Sequence, residues 1–526
     1  MTPVGKSNLV GKGRTLLPVI LVAGALLFVG VRSWNAQAPF RVVETTVEDV
    51  HRAYQSGELT ARQLVQIYLD RIEAYDRQGP KINSVITVNP KALEEADKLD
   101  AAFKASGLVG SLHGIPLVLK DQVDMAGLPT TYGSIVRKDF VAARDSFVVE
   151  KVKKAGGIFI AKVTLGEMGG GDTYGSLFGA TRNPYDLLRT PGGSSGGPGA
   201  AVAANFAVIG VGQEGSASVR RPAAWNSLVG LRPTRGLVSS TRGATGLSPM
   251  ARTVTDAAKL LDAMAGYDSE DPITAHGVGH IPKTYTEFLD RNGLKGARIG
   301  VFTESVGVRS NPNAQDYKEL ETMFSRAVGE LRAAGAEMIP ITIPHVKELM
   351  AAVDVNAGAK AIRFDDEDPW ANYPNRPFKD DAEMRKSPDY AKVFISPNRP
   401  GLFQSALTTV REQLLMTVLK VMADNQLDAI VHRSVEHAPS LIEEGLNPPY
   451  KNMDGAIRLN TELWWASNVQ VPAGFTSGGL PVGITFLGRP YAEPVLLKLA
   501  YAYEQATHHR KPPATTPEIQ RTSATR

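Results

Sequence analysis

The chain has no cysteine in its 526 residues. That absence excludes disulfides, cysteine-ligated zinc and a thiol nucleophile together, and it leaves the redox compartment open. Excess charge is nearly missing as well: 58 Lys and Arg face 54 Asp and Glu, a formal net charge of +4. With no dense basic block after the N-terminus, nucleic acid is not an expected partner. Internal repeats are absent. What is present is ordinary globular material, 43% hydrophobic and 21% charged, ample for a large core.

Residues 1–40 stand apart. Lys6, Lys12 and Arg14 precede an apolar run from Leu16 to Val31. The run falls between a signal core of about 7–15 residues and a membrane span of about 17–25. An N-terminal membrane anchor is the expectation, with its cations inside and the folded domain outside the cytoplasm, on the periplasmic or extracellular side. The alternative is a cleaved secretory signal, since Ala36-Gln37-Ala38 has the small-x-small pattern of a cleavage site, although Pro39 is a poor residue after a cut.

Beyond the anchor the pattern turns regular. Thr46 with Asp49, and Thr60 with Gln63, have capping-box spacing, so helices are expected to start there. Short apolar runs at Gly114–Leu119, Gly157–Ala161, Ala297–Phe302, Ala429–Val431 and Val482–Leu487 read as strands. Helical patterns such as Asp145–Ala155 and Asn313–Ala334 lie between them, which predicts an α/β layered fold. The stretch 364–400, with Trp370, Tyr373 and Tyr390, lacks periodicity; it is either an excursion over a pocket or a long solvated loop. Residues 511–526 are polar and contain proline, the composition of a disordered tail, which leaves 41–510 as the folded domain.

Three segments carry residues fit for chemistry. Lys120 ends the run Gly114-Ile-Pro-Leu-Val-Leu-Lys, so a strand carries it straight out of the core. Buried without a partner it would lose its proton and become a base; otherwise it reaches solvent or pairs with Asp121 or Asp124. Ser194 and Ser195 sit among four glycines in Gly192-Gly-Ser-Ser-Gly-Gly197. This matches the G-x-S-x-G nucleophile elbow, but the preceding 183–191 reads as turn where that motif needs a strand. Gly210-Val-Gly-Gln-Glu-Gly215 has the form of a dinucleotide fingerprint, yet no acid occurs between Glu214 and Asp256 to hold a ribose. Finally, the small residues of Gly215-Ser-Ala-Ser218 leave backbone N–H groups unobstructed, either as an oxyanion hole or as a plain polar turn.

Taken together, Gly114–Asp121, Arg189-Thr-Pro-Gly-Gly-Ser-Ser-Gly-Gly197, Ser218-Val-Arg-Arg-Pro-Ala223 and Val229-Gly-Leu-Arg-Pro-Thr-Arg-Gly236 resemble the amidase-signature family. Order and spacing agree, with the two serines 24 residues apart, and Met250–Asp256, Val471–Phe475 and Gly479–Gly483 match further. The resemblance extends over roughly residues 45 to 510. It implies an α/β/α sandwich around a large mixed, twisted β-sheet, and an amidase acting on a small or aryl carboxylic amide, with esters as further candidates. It also implies the roles: Ser218 as nucleophile, Ser194 as a bridging serine on a cis peptide, Lys120 as base, and the backbone of Gly215, Ser216 and Ala217, with that of Ser218, as oxyanion hole. No metal or cofactor is called for. The A subunit of a tRNA-dependent amidotransferase, and a non-catalytic membrane-tethered binding protein, remain as alternatives; a homodimer stays open.

One departure stands out. Where the family has Thr-Asp-x-Gly-Gly-Ser, this chain has Gln213-Glu-Gly-Ser-Ala-Ser218. Ser216 and Ala217 add Cβ atoms where a positive φ could be required.

Overall fold

The computed structural model describes residues 40–240, 246–354, 372–392, 405–459 and 463–520. The expected anchor, with its run from Leu16 to Val31, lies outside them, as does Trp370. Among the described residues no helix is long and apolar enough to cross a membrane. Arg41–Arg526 forms one compact unit.

Both capping boxes close. Thr46 Oγ1 accepts the Asp49 N–H at 3.1 Å and Asp49 Oδ2 accepts the Thr46 N–H at 3.0 Å, starting α1 (Val47–Ser56). Thr60 and Gln63 do the same at 3.2 and 2.9 Å for α2 (Ala61–Arg71). Each cap is worth about 1 kcal/mol, because it satisfies N–H groups that have no partner within the helix. The first half of the chain then supplies β1 (Val85–Val88), α3 (Ala92–Ser106), β2 (Pro116–Lys120), α4 (Phe147–Lys154), β3 (Ile158–Val163) and the small hairpin β4 (Tyr174–Gly175) with β5 (Gly179–Ala180). It continues through α5 (Gly196–Ala203), β6 (Ile209–Gln213), α6 (Arg220–Trp225), β7 (Val229–Arg232), β8 (Leu247–Ala251) and α7 (Val254–Met264). The second half gives β9 (Arg298–Phe302), α8 (Gln315–Ala333), β10 (Glu337–Ile341), β11 (Ala429–Arg433), β12 (Asn468–Phe475) and β13 (Pro481–Leu487).

Eleven of these strands form one sheet in the order β1-β3-β2-β6-β8-β7-β12-β13-β11-β9-β10. It is mixed: β2 runs parallel to β3 and β6, and β9 to β10 and β11, whereas β7 joins the two halves by antiparallel pairing with β12. Every residue of β2, β3 and β6 is buried, as expected of parallel strands covered on both faces. Parallel pairing also sets the C-terminal ends of β2 and β6 side by side. Lys120 ends one and Gln213 the other, at the edge where α/β sheets place their ligands.

Two stretches read as irregular turn out to be anchored. In the 364–400 excursion, Tyr373 and Met384 are buried in a cluster with Val136, Phe140 and Ala142. From Lys511 the chain, expected as a disordered tail, lies against the domain as far as residue 518. Arg71 donates to the carbonyls of Thr516 and Pro517 at 2.8 Å, and the Glu518 carboxylate accepts from Val42 and Val43 N–H.

Candidate active site

Lys120 is fully buried at the end of β2, and none of its sequence neighbours neutralises it. Asp121 pairs with Lys162 at 2.9 Å instead, and Asp124 accepts from Asn372 Nδ2 at 2.7 Å and from the Tyr373 hydroxyl. Among the described residues the Lys120 Nζ is bonded to neutral groups, Ser194 Oγ at 2.8 Å and the Gln213 carbonyl at 3.3 Å. Burial pushes its pKa well below that of a free lysine, and the field of Glu214 pulls only partly back.

Ser194 stands between Lys120 and Ser218, with Oγ–Oγ 3.0 Å, and the Gly193–Ser194 peptide is cis. The flanking glycines are dictated by close approach. A Cβ on Gly193 would come within 2.3 Å of the Gly171 carbonyl, and one on Gly197 within 2.1 Å of the Thr164 carbonyl. Ser195, the adjacent serine, is bonded to the backbone at the C-terminal end of β6, its Oγ donating to the Gln213 carbonyl and accepting the Gln213 N–H, each at 3.1 Å. Ser218 is 7% exposed, so the row of amine and hydroxyls opens outward at its last member. Such a row can draw a proton from Ser218 to Lys120, which a lone serine hydroxyl cannot shed.

The turn before Ser218 is oriented by groups that sequence reasoning missed. Arg220 Nη2 holds the Ser216 carbonyl at 2.8 Å, and the Arg221 N–H holds the Ala217 carbonyl at 3.1 Å. In a planar trans peptide the N–H points opposite to the C=O, so the Ala217 and Ser218 N–H groups are turned away from α6. Neither Ser216 nor Ala217 has a positive φ, and the added Cβ atoms meet no backbone penalty. Glu214 fixes the same loop from below. Its carboxylate accepts from Val219 and Arg220 N–H at 2.8 and 2.9 Å and pairs with Arg220 Nε at 2.7 Å, both side chains fully buried. A second buried pair, Arg221 with Asp172 at 2.6 Å, lies behind Ser194. The available signal was two adjacent arginines inside a small, apolar segment, which cannot be buried without acids to meet them.

The Tyr132 carbonyl accepts the Met168 N–H at 2.9 Å and its ring lies 4.8 Å from the Arg137 guanidinium carbon. Tyr174 is buried under Gly445, where an added Cβ would be 2.2 Å from its hydroxyl.

A family model described as Amidase matches residues 63–497. A probable amidase of Arabidopsis thaliana is 31% identical over 94% of this chain and 97% of its own length. The A subunit of the glutamyl-tRNA(Gln) amidotransferase of Methanosarcina barkeri is 32% identical over 87% of this chain and 96% of its own. Among solved structures, the native peptide amidase of Stenotrophomonas maltophilia superposes with a TM-score of 0.78 at 32% identity, covering 91% of this chain and 100% of that one.

Proposed function

This chain belongs to the amidase family and is an amide-hydrolysing enzyme, and from that premise we propose that it works through a serine acyl-enzyme formed at Ser218. Ser218 Oγ attacks the amide carbon while its proton passes through Ser194 to the neutral amine of Lys120. The oxyanion so formed is met by the backbone N–H groups of Gly215, Ser216, Ala217 and Ser218, each such donor being worth about 10²–10³ in rate. The proton returns through Ser194 to the leaving nitrogen, the C–N bond breaks, and water resolves the ester. The observation that carries this reading is the unbroken row of Lys120 Nζ, Ser194 Oγ and Ser218 Oγ at 2.8 and 3.0 Å, with no carboxylate paired to the lysine among the described residues.

The substrate is a small, aryl or peptide carboxylic amide; the peptide option comes from the likeness to the peptide amidase. Its pocket takes walls from Tyr132, Tyr174 and, of the 364–400 stretch, the described residues 372–392, and an active variant lacking residues 370–390 with unchanged preference would refute that. The enzyme is tethered through residues 1–40 with its catalytic domain outside the cytoplasm, a reading supported by Lys6, Lys12 and Arg14 ahead of the apolar run. Membrane fractionation with protease accessibility tests it.

The deciding experiment offers the purified chain anilides, primary amides, C-terminally amidated peptides and esters, beside Ser218→Ala and Lys120→Ala. Turnover lost in both variants supports the mechanism. Undiminished turnover in Ser218→Ala removes it. A wild type inert to every substrate would favour the amidotransferase reading, which the 32% identity to such a protein keeps alive, or a binding role.

A further inference from the structure

Ser194 can relay a proton only while its hydroxyl stays within hydrogen-bond reach of two partners that belong to different elements, Lys120 at the end of β2 and Ser218 just ahead of α6. Three contacts to backbone surround it, the first being the Ser195 N–H, which donates to the Ser218 carbonyl at 3.0 Å. The Ser194 carbonyl accepts the Gly166 N–H at 3.0 Å, and the carbonyl of Gly193, across the peptide bond from Ser194, accepts Arg221 Nη2 at 2.9 Å. Arg221 sits three residues beyond Ser218, in the first turn of α6. One side chain therefore ties the peptide of the bridging serine to the short helix that follows the nucleophile.

That arginine is itself held. Its Nη2 pairs with Asp172 Oδ1 at 2.6 Å, with both side chains fully buried, and reaches the Gly171 carbonyl at 3.4 Å. Its guanidinium carbon lies 5.3 Å from the centroid of Trp225. Asp172 is fixed in turn: its N–H donates to Asn452 Oδ1 at 2.7 Å, and its Oδ2 accepts the Met453 N–H at 3.4 Å. Little space is left beside Gly193, where an added Cβ would come within 2.3 Å of the Gly171 carbonyl oxygen and 2.7 Å of Asp172 Cα.

We infer that the buried Asp172–Arg221 pair is a positioning device for the reaction: it sets the distance between the hydroxyls of Ser194 and Ser218 by anchoring the Gly193 carbonyl to α6. The inference rests on the Ser194 relay proposed above. It assigns neither residue a contact with substrate. Both contacts are made by Nη2, whose hydrogens lie in the plane of the rigid guanidinium, so the carboxylate and the carbonyl are met in set directions that a freely turning ammonium does not impose.

The test must separate positioning from folding, because removing one member alone strands a buried charge. The decisive variant is the double replacement Asp172→Leu with Arg221→Met, which removes both charges and is often neutral for stability. It is expected to melt near the wild-type temperature, keep KM within a few-fold, and lose about 100-fold in kcat, the order of loss that a misplacement of about 1 Å causes. Labelling of Ser218 by a fluorophosphonate should slow in parallel. Arg221→Lys, which keeps the charge and loses the rigid guanidinium plane, should show the same kcat loss at unchanged KM, and it decides the matter if the double variant does not fold. Wild-type kcat in either folded variant, or a loss confined to KM, overturns the inference. Ser194→Ala, measured alongside, keeps the two readings apart. Full activity there sinks the relay itself, whereas lost activity there with intact Arg221 variants sinks only the positioning role.

Discussion

Two lysines lie on neighbouring strands in the sheet, both wholly buried, and they have opposite fates. Lys162 of β3 pairs with the Asp121 carboxylate at 2.9 Å and donates to the Pro129 carbonyl at 2.9 Å. Lys120 of β2 has a hydroxyl and a carbonyl and, among the described residues, no paired carboxylate. The separation follows from the strand itself. Lys162 lies in register with Leu119, so its side chain leaves the sheet on the face opposite to that of Lys120. Asp121, the next residue after Lys120, alternates to the Lys162 side. Adjacency in sequence thus turns the acid toward Lys162, and burial lowers the Lys120 pKa with no carboxylate paired to it among the described residues. Burial alone does not separate the two lysines; where the neighbouring acid points does.

The sharpest way to break this comparison is to replace each lysine by methionine. Lys120→Met is expected to lose about 10³–10⁴ in kcat/KM, the scale of a lost general base, with little change in denaturant midpoint since no carboxylate is stranded. Lys162→Met should do the reverse. It leaves the Asp121 carboxylate buried and unpaired, a cost of about 3–5 kcal/mol read from chemical denaturation, and adding Asp121→Leu should recover most of it. Equal loss of stability in both single variants would mean that Lys120 is held as a charge.

Next in size is a test of the same rule on an acid. Glu504 is half-buried on the C-terminal helix Glu493–Thr507, accepts the Val254 N–H at 2.8 Å and a contact from Gln505, and desolvation of its carboxyl pushes its pKa up to about 7. An acid whose folded pKa lies above its unfolded value binds its proton more tightly when folded. Its stabilisation is therefore full below about pH 4.5 and fades as pH rises through about 7. A shift of that size is worth about 3 kcal/mol. Glu504→Gln keeps an acceptor for Val254 and removes the proton, so it should be more stable than wild type at pH 8 and equal to it near pH 4. A constant difference across that range would count against the rule.

How much of this could be read from the residues alone depends on the range of the interaction. The capping boxes of Thr46 and Thr60, the strand ending at Lys120 and the helix of 315–333 are local patterns, and each forms where its pattern lies. Lys120, Ser194 and Ser218 were legible through spacing and resemblance. What held them was not. Asp172 meets Asn452 across 280 positions and Arg221 meets Asp172 from another element, and no periodicity reports such pairs. The irregular composition of the 372–392 stretch and of the last residues concealed buried anchors, Tyr373 and Met384 in one and the carbonyls gripped by Arg71 in the other. Proline and polar residues signal the lack of regular structure, which is a different thing from the lack of packing.

The pH profile comes next. Because burial lowers the Lys120 pKa, the amine that accepts the proton is present well below the pH a free lysine would need. The acid limb of kcat/KM should fall about tenfold per pH unit below a midpoint lying well under 10.5, the ordinary lysine value. A midpoint near 10 would place Lys120 in the same class as an exposed lysine and erase the contrast with Lys162.

The smallest effect concerns side chains that the mechanism does not use. Ser216 and Ala217 stand where the family carries glycines, yet neither has a positive φ, and the Ser216 and Ala217 carbonyls are already held by Arg220 Nη2 and the Arg221 N–H. The N–H directions are then set by the planes of the peptides and owe nothing to the Cβ atoms. Ser216→Gly and Ala217→Gly should therefore change kcat by less than about threefold and cost no more than about 1 kcal/mol, the entropy of the freer unfolded chain. The test is most telling beside Arg220→Met with Glu214→Leu, which leaves both side chains in place and removes the grip on the Ser216 carbonyl. If the glycine variants lose 100-fold while that pair is silent, then the side chains, and not the held carbonyls, orient the turn. The distinction drawn between the two lysines would then stop at the lysines, and the nucleophile loop would need its own account.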